Sequence, residues 1–259
     1  MLGVTLLGMG LTACQTGADV RLTFRPVQGS QAAYRLTVHS ASTVRLGDAA
    51  PREQEDEAVF TARHTVLAVS LRGVHVEVAL RRPGSPERTF VVRFDADGTL
   101  QGVEQVEGLP VDVLGDVGLA ELAPAAAAVP QDEPLRLGQR WTIDEQLAVA
   151  GVEAGRLTGT GRLVRVHQEG GRRLAVVTTT VDLPLRRRSS LPEGTLALDG
   201  RQTTRSTTTY DLADGTVVEA RSTTHGEFDL RLEPPVGRDA PAVTGTLVLD
   251  VRSDTRRTD

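Results

Sequence analysis

Few side chains in this sequence have the type and spacing to do chemistry together. Its five histidines, His39, His64, His75, His167 and His225, stand singly, without the HExxH or paired-cysteine spacing that brings ligands to one metal ion. Each is expected on the surface or along a strand. Asp95 and Asp97 are spaced like the first two ligands of a calcium loop, but the further acids and the distal Glu that a hard cation needs are missing there and at Asp214-Gly215. Turns are the expected role of both segments. Gly155 to Gly161 (GRLTGTG) is glycine-rich, yet it lies between apparent strands without the Lys or following helix that cradles a phosphate. Ser189 and Ser190 lack a G-x-S-x-G elbow and follow Arg186-Arg187-Arg188 in an expected solvated basic loop bounded by Pro184 and Pro192. That triplet could also meet lipid head groups or an acidic partner. No spacing singles out two carboxylates for acid and base roles. The expectation is therefore no catalytic residue, no metal site, no cofactor and no enzymatic activity.

The remaining reactive group is the thiol of Cys14, the only cysteine. It closes the run MLGVTLLGMGLTAC, uncharged and apolar with small residues at its end, which is the layout of a secretory signal and its cleavage site. The run is too short for a transmembrane helix, which needs about 20 apolar residues. Leu11-Thr12-Ala13-Cys14 resembles the lipobox of bacterial lipoproteins. The resemblance implies lipidation of Cys14, export, and a lipid anchor holding the protein to the outer face of the cell membrane or in the cell envelope. The sequence departs from that pattern in having no Lys or Arg before the apolar run. A lone cysteine makes no intrachain disulfide, so the core must supply the stability.

Composition narrows the classes further. There is no Lys and no Asn, and Ile143 is the only isoleucine, a skew that follows codon bias more readily than function. The formal net charge of −5 gives no reason to expect a nucleic-acid partner. Aromatic residues are only 3% while Val, Leu and Thr recur, which favours strands over long helices and an aliphatic core.

The elements follow from alternation. Residues 1–14 read as the signal ending at Cys14, 15–30 as a tether, 31–108 as a first β half, 109–140 as a helical, Pro-rich connector and 141–255 as a second β half. In the first half, Val66 to Leu71 and Val74 to Leu80 should form a hairpin about Arg72-Gly73, with His64 opposite Arg81. Asp97-Gly98 is a favoured hairpin turn pair that places Phe90, Val92, Phe94 and Val103 on one core face. A short helix is predicted over Val111 to Leu122, after Pro110 and before Pro124. In the second half, strands are predicted at Gly155 to Val166, Arg173 to Leu183, Thr203 to Leu212, Val217 to Thr224, Glu227 to Leu232 and Thr244 to Arg252. A two-residue turn at Asp214-Gly215 would put Thr207, Thr209, Ser222 and Thr224 on one face and Thr208, Tyr210, Glu219 and Arg221 on the other. Both faces would then be polar, so this hairpin should project over water. The turn segments FDADGTL and YDLADGTV echo one another, and the order of hairpins repeats, leaving duplication and independent origin both open. The fold class expected is mainly β: a curved antiparallel sheet or half-open barrel, open to two similar halves, with a short helical connector.

The lipobox, the β-rich first half, the Pro-rich connector leading into PLRLGQRW, and the second β half together resemble uncharacterised bacterial lipoproteins. The layout is similar to lipid-carrying lipoproteins of the LppX/LprG and LolA type, which wrap a curved sheet around helices. The resemblance implies an apolar ligand such as a lipid, held in the concavity of the sheet and covered by the helix. The alternative is a non-catalytic envelope structural or protein/cell-wall interaction module that works through exposed strands.

Overall fold

The computed structural model describes residues 19–94, 100–107, 133–146, 153–192, 194–235 and 240–259. They form twelve strands: β1 (Gln31–Leu46), β2 (Arg52–Ser70), β3 (Gly73–Arg81), β4 (Arg88–Phe94), β5 (Leu100–Glu107), β6 (Arg140–Gln146), β7 (Glu153–Ala154), β8 (Arg156–Glu169), β9 (Arg172–Leu191), β10 (Gly194–Asp211), β11 (Val217–Glu233) and β12 (Val243–Arg257). All belong to one sheet, whose path runs β5-β4-β3-β2-β1-β12-β11-β10-β9-β8-β6, with β7 paired to β9. Neighbours along the path are antiparallel. No pairing joins β5 to β6 among the described residues, so the result is a near-closed barrel of eleven strands with an unsealed seam.

Closure is visible in the core. Leu36 and Val38 on β1, Phe60 on β2, Val76 and Val78 on β3 and Phe90 and Val92 on β4 share one buried cluster with Ile143 on β6, Leu157 on β8 and Val181 and Leu183 on β9. Strands far apart on the path therefore meet across the interior. The expected core face Phe90, Val92, Phe94 is buried; the side chain of Val103 lies outside the described residues, as does the Asp97-Gly98 turn. The two β halves are continuous through the β1–β12 pairing, with Val38 opposite Ser253.

Glycine and aromatic side chains are matched at two places along the wall. A Cβ on Gly161 would fall 2.2 Å from the Trp141 ring on the paired strand. Gly226 leaves similar room, 2.6 Å, for the ring of Phe228. The GRLTGTG segment is thus a strand made thin enough to seat an indole, with no phosphate role needed.

Several expectations are corrected. Among the described residues there is no helix; the predicted Val111 to Leu122 helix lies outside them, and the described end of the connector instead holds a Val20–Leu135 bridge and the start of β6. The β2–β3 loop is Leu71-Arg72, with Ser70 opposite Gly73, and a bulge between Val66 and Ala68 shifts the register so that His64 faces Val78 instead of Arg81. Arg186-Arg187-Arg188 and Ser189-Ser190 lie within β9, not in a loop. Pro184 looked like a strand breaker, but it sits opposite the β7–β8 interruption, where Gly155 makes room for its ring and donates to its carbonyl at 2.8 Å. The segments predicted as Val217 to Thr224 and Glu227 to Leu232 are one strand, β11, because Gly226 is accommodated under Phe228 without ending the ladder.

Because Trp141 is the only tryptophan, its emission reports this packing directly. Gly161→Ala should destabilise the fold by about 1–3 kcal/mol through overpacking and shift the tryptophan spectrum. Urea denaturation followed by fluorescence checks both effects; a wild-type midpoint and spectrum would contradict the account.

Candidate functional site

In β10, Thr204, Ser206, Thr208 and Tyr210 are buried, while the alternating Arg201, Arg205 and Thr207 are exposed. In β11, Thr224, Phe228 and Leu230 are buried, while Arg221, Thr223, His225, Glu227 and Asp229 are exposed. The inner face of the long strands is therefore apolar and hydroxylated, and the outer face is charged.

The pairing lines these residues up in rows across the wall. Thr179, Ser206, Ser222, Ser253 and Val38 are successive neighbours on β9, β10, β11, β12 and β1. Their hydroxyls pair inside the row: Thr179 with Ser206 at 2.6 Å and Ser222 with Ser253 at 2.7 Å. One row further along, Thr204 pairs with Thr224 at 2.8 Å. These groups satisfy each other away from water, which removes the usual penalty for burying a hydroxyl.

This arrangement overturns the expectation that the Asp214-Gly215 hairpin is polar on both faces. The connection is longer than two residues: Asp211 N–H donates to the Thr216 carbonyl at 2.9 Å, and Tyr210 faces Val217, followed by a bulge. Ser206 consequently faces Ser222, where a two-residue turn would have set Thr207 there. A one-residue slip moves a side chain to the opposite face. The two aspartates are turn-formers: Asp211 accepts from the Ala213 N–H and Asp214 from the Thr216 N–H and hydroxyl.

On the outer face the rows read as compensated charge. Arg221 bonds to Asp254 at 3.0 Å and to Glu219 at 2.6 Å, and Arg256 approaches Asp254 at 3.2 Å and Glu219 at 3.3 Å. Beside them His225 contacts Asp250 at 2.9 Å and Glu227 at 3.3 Å. Its hydrogen bond to Asp250, then that to Glu227, raises its pKa above the usual imidazole range. Arg186 pairs with Asp199 at 3.0 Å across β9 and β10. Among the described residues, this panel gathers paired charges from four adjacent strands, β9 to β12.

The sequence-level candidates are not brought together. His39 pairs with Glu57 and His167 with Glu169, and among the described residues no group of three His, Cys, Asp or Glu side chains could hold a metal ion. Cys14 lies outside the described residues. His64 is on a strand, as expected, but faces inward: it lies in the series Ala62, His64, Val66, with its ring 4.6 Å from that of Tyr34 and its Nε2 sealed from solvent without a partner. Burial pushes its pKa down to about 4. Burial also pushes the Tyr34 phenol up to about 12, partly offset by Arg257. The only hint in the sequence is its even spacing from Ala62 and Val66.

The chain matches no known family model and no curated protein. Among solved structures it overlaps the outer membrane protein OprG of Pseudomonas aeruginosa at 8% identity, covering 92% of this chain and 99% of that one, with a TM-score of 0.26. It also overlaps P. aeruginosa OpdQ (7% identity, 88% and 97% covered, TM-score 0.20) and P. aeruginosa OccK11, or OpdR (10%, 93% and 99%, TM-score 0.21). At these scores the overlap assigns no role to this chain. The expected kinship with LppX/LprG- and LolA-type lipid carriers is nonetheless overturned. Those wrap a sheet around helices, whereas here one sheet curls on itself around its own side chains, with no helix among the described residues. The apolar ligand falls with the concavity that was to hold it. The lipid anchor, and a location defined by it, rested on the lipobox at Cys14, which lies outside the described residues; the barrel gives them no support.

Two measurements follow. Replacing Thr204 or Thr224 singly by Val leaves one buried hydroxyl without its mate and should cost about 1–3 kcal/mol, whereas the Thr204→Val/Thr224→Val pair should cost less than the two single changes together. Additive losses in a denaturation cycle would deny the pairing. His64 has a folded pKa below its unfolded one, so stability is full above pH 6.5 and is lost as pH falls from there toward 4, by about 3 kcal/mol in all. Urea midpoints at pH 7 and pH 4.5 should differ less in His64→Phe than in the wild type; equal acid losses would contradict the burial.

Proposed function

We propose that this chain is a non-catalytic interaction module of the cell envelope, which offers the charged outer panel of β10, β11 and β12 to another protein. The observation that carries the reading is the division of the wall: hydroxyl and apolar groups face a filled interior, so the polar chemistry available to a partner lies outside. The ion pairs of the panel are exposed; such pairs add little to folding stability, median about 0–1 kcal/mol each. A surface of compensated charge is well suited to selecting a partner and setting its register, because mismatched charges repel. The secretory character of the first fourteen residues supports an envelope setting.

The test is site-specific photo-crosslinking in cells. A photoreactive residue at the exposed Thr207 or Thr223 should give a discrete protein adduct, absent when the probe sits in place of Val91 on β4. Reversing Arg221 and Arg256 to Glu should reduce that adduct about tenfold or more while the circular-dichroism spectrum shows the fold retained. No adduct from either panel position, or an adduct indifferent to charge reversal, would sink the reading.

A further inference from the structure

The ends of the barrel differ in chemistry. Residues 19–30 cross one end as a strap: Val20 bridges Leu135, Arg25 N–H donates to Asp214 at 2.8 Å, Phe24 packs on Phe94 with ring centroids 5.1 Å apart, and Gly29 N–H donates to Val66 at 2.8 Å. At this end the β2–β3 hairpin carries apolar side chains that the fold leaves in solvent. Leu71 is 98% exposed, Val69 45% and Leu67 43%. Val27, 72% exposed, joins them, because its turn is fastened to β2 by the Gly29 bond, by Val66 N–H to the Ser30 carbonyl at 3.0 Å and by the Gln28 amide to Leu67 at 3.2 Å. Exposed apolar side chains gathered at one spot mark an interaction site; scattered ones would not.

We propose that this strap end docks noncovalently on an anionic lipid surface. Three observations select that occupant. The exposed Arg72 stands at the hairpin tip beside Leu71, and the exposed Arg25 lies on the strap, so cations flank the apolar residues as head-group contact requires. The chain enters the fold here, at Asp19 and Val20, directly after eighteen residues that carry no charged side chain and of which the first fourteen are mainly apolar. The opposite end carries Glu53, Glu55, Asp56 and Glu57, all exposed on β2. With about 3.3 Å per residue, β2 separates this acidic run, in which Asp56 pairs with Arg82 and Glu57 with His39, from Leu71 by roughly 50 Å, so these acids stand clear of a surface docked at the strap end. Docking involves a different surface from the panel on β10 to β12 and needs no acyl group on Cys14.

The test uses the full chain carrying Cys14→Ser, so that no thiol is available for acylation, and vesicles of phosphatidylcholine with 30% phosphatidylglycerol. A single cysteine placed by Leu71→Cys or Val27→Cys and labelled with an environment-sensitive dye should blue-shift on vesicle addition and be quenched by doxyl-labelled lipid, whereas Thr223→Cys on the outer panel should not respond. Leu71→Glu/Val69→Glu should lower vesicle co-sedimentation about tenfold or more with an unchanged tryptophan melt, and vesicles of phosphatidylcholine alone should bind less. Vesicle binding without quenching at position 71 or 27 would mean that the first residues alone hold the membrane and would overturn the proposal. So would absence of binding, or a concentration-dependent dimer in analytical ultracentrifugation that the Glu variants abolish, which would assign the patch to a second copy.

Discussion

The pleat shared by β9, β10, β11, β12 and β1 fixes what every other part of the molecule can do. Side chains alternate strictly across a strand, so one register sends Thr204, Ser206, Thr208, Ser222, Thr224, Val251 and Ser253 inward and Arg205, Arg221, Thr223, Arg252 and Asp254 outward. A slip of one residue between neighbours would carry arginines into a core built from Leu36, Val38, Val181 and Leu183. Burying an unpaired charge costs several kcal/mol, far more than a typical net hydrogen bond contributes, so the register is strongly specified. Hydroxyl rows reinforce it, because Thr179 meets Ser206, and Ser222 meets Ser253, only in this alignment.

Small inner side chains also let the wall curve. The bulkier Phe60, Phe90, Val76 and Val92 cluster with Val181 and Leu183 of β9 and Val251 of β12, and Gly161 and Gly226 leave room for the rings of Trp141 and Phe228. The strap then ties together strands distant on the sheet path. It links the Leu135, Leu163, Tyr210 cluster to β4 through Phe24 and to β2 through Gly29. A seam between β5 and β6 is tolerable in such a barrel because side-chain contact across the interior, in addition to the backbone ladder, holds the two sides together.

Alternation made the strands legible in the sequence, and the Phe90, Val92, Phe94 face could be placed from a single turn pair. The rows on β10 and β11 could not, because their alignment depends on the longer Asp211 to Thr216 connection, and threonine reads equally well as a surface or an interior strand residue. His64 was given the wrong partner for a related reason: the hairpin closes at Ser70–Gly73 in place of Leu71–Val74, and a bulge at Leu67, invisible in composition, moves every partner beyond it by one more. The resemblance to lipid carriers rested on the order of elements, which is shared by many β-rich proteins and carries no information about what fills the concavity. The charged panel escaped notice because Arg221, Asp254, Glu219 and Arg256 come from segments more than thirty residues apart, and only the β11–β12 pairing brings them side by side.

The distribution of charge bears on how such a barrel can meet a membrane. A strand wall that faces lipid needs an apolar band about 25 Å tall on its outside and tolerates polar groups within. Here the order is reversed on the long strands: the arginine and aspartate ladder from Arg205 across Thr223 to Arg252 faces outward, and valine, leucine and phenylalanine face inward. Contact through the side of β10 to β12 would strip water from paired charges, which is costly in hydrocarbon. Contact through an end escapes that cost, because the strap end offers Leu71, Val69, Leu67 and Val27 while the panel stays in water. A barrel resting on one end would leave the panel on β10 to β12 upright on the surface, Glu219 and Arg256 nearest the strap and His225 and Asp250 farther out, accessible to a partner arriving from the side. The two surfaces would then serve one arrangement, the apolar tip setting orientation and the charged panel setting selectivity.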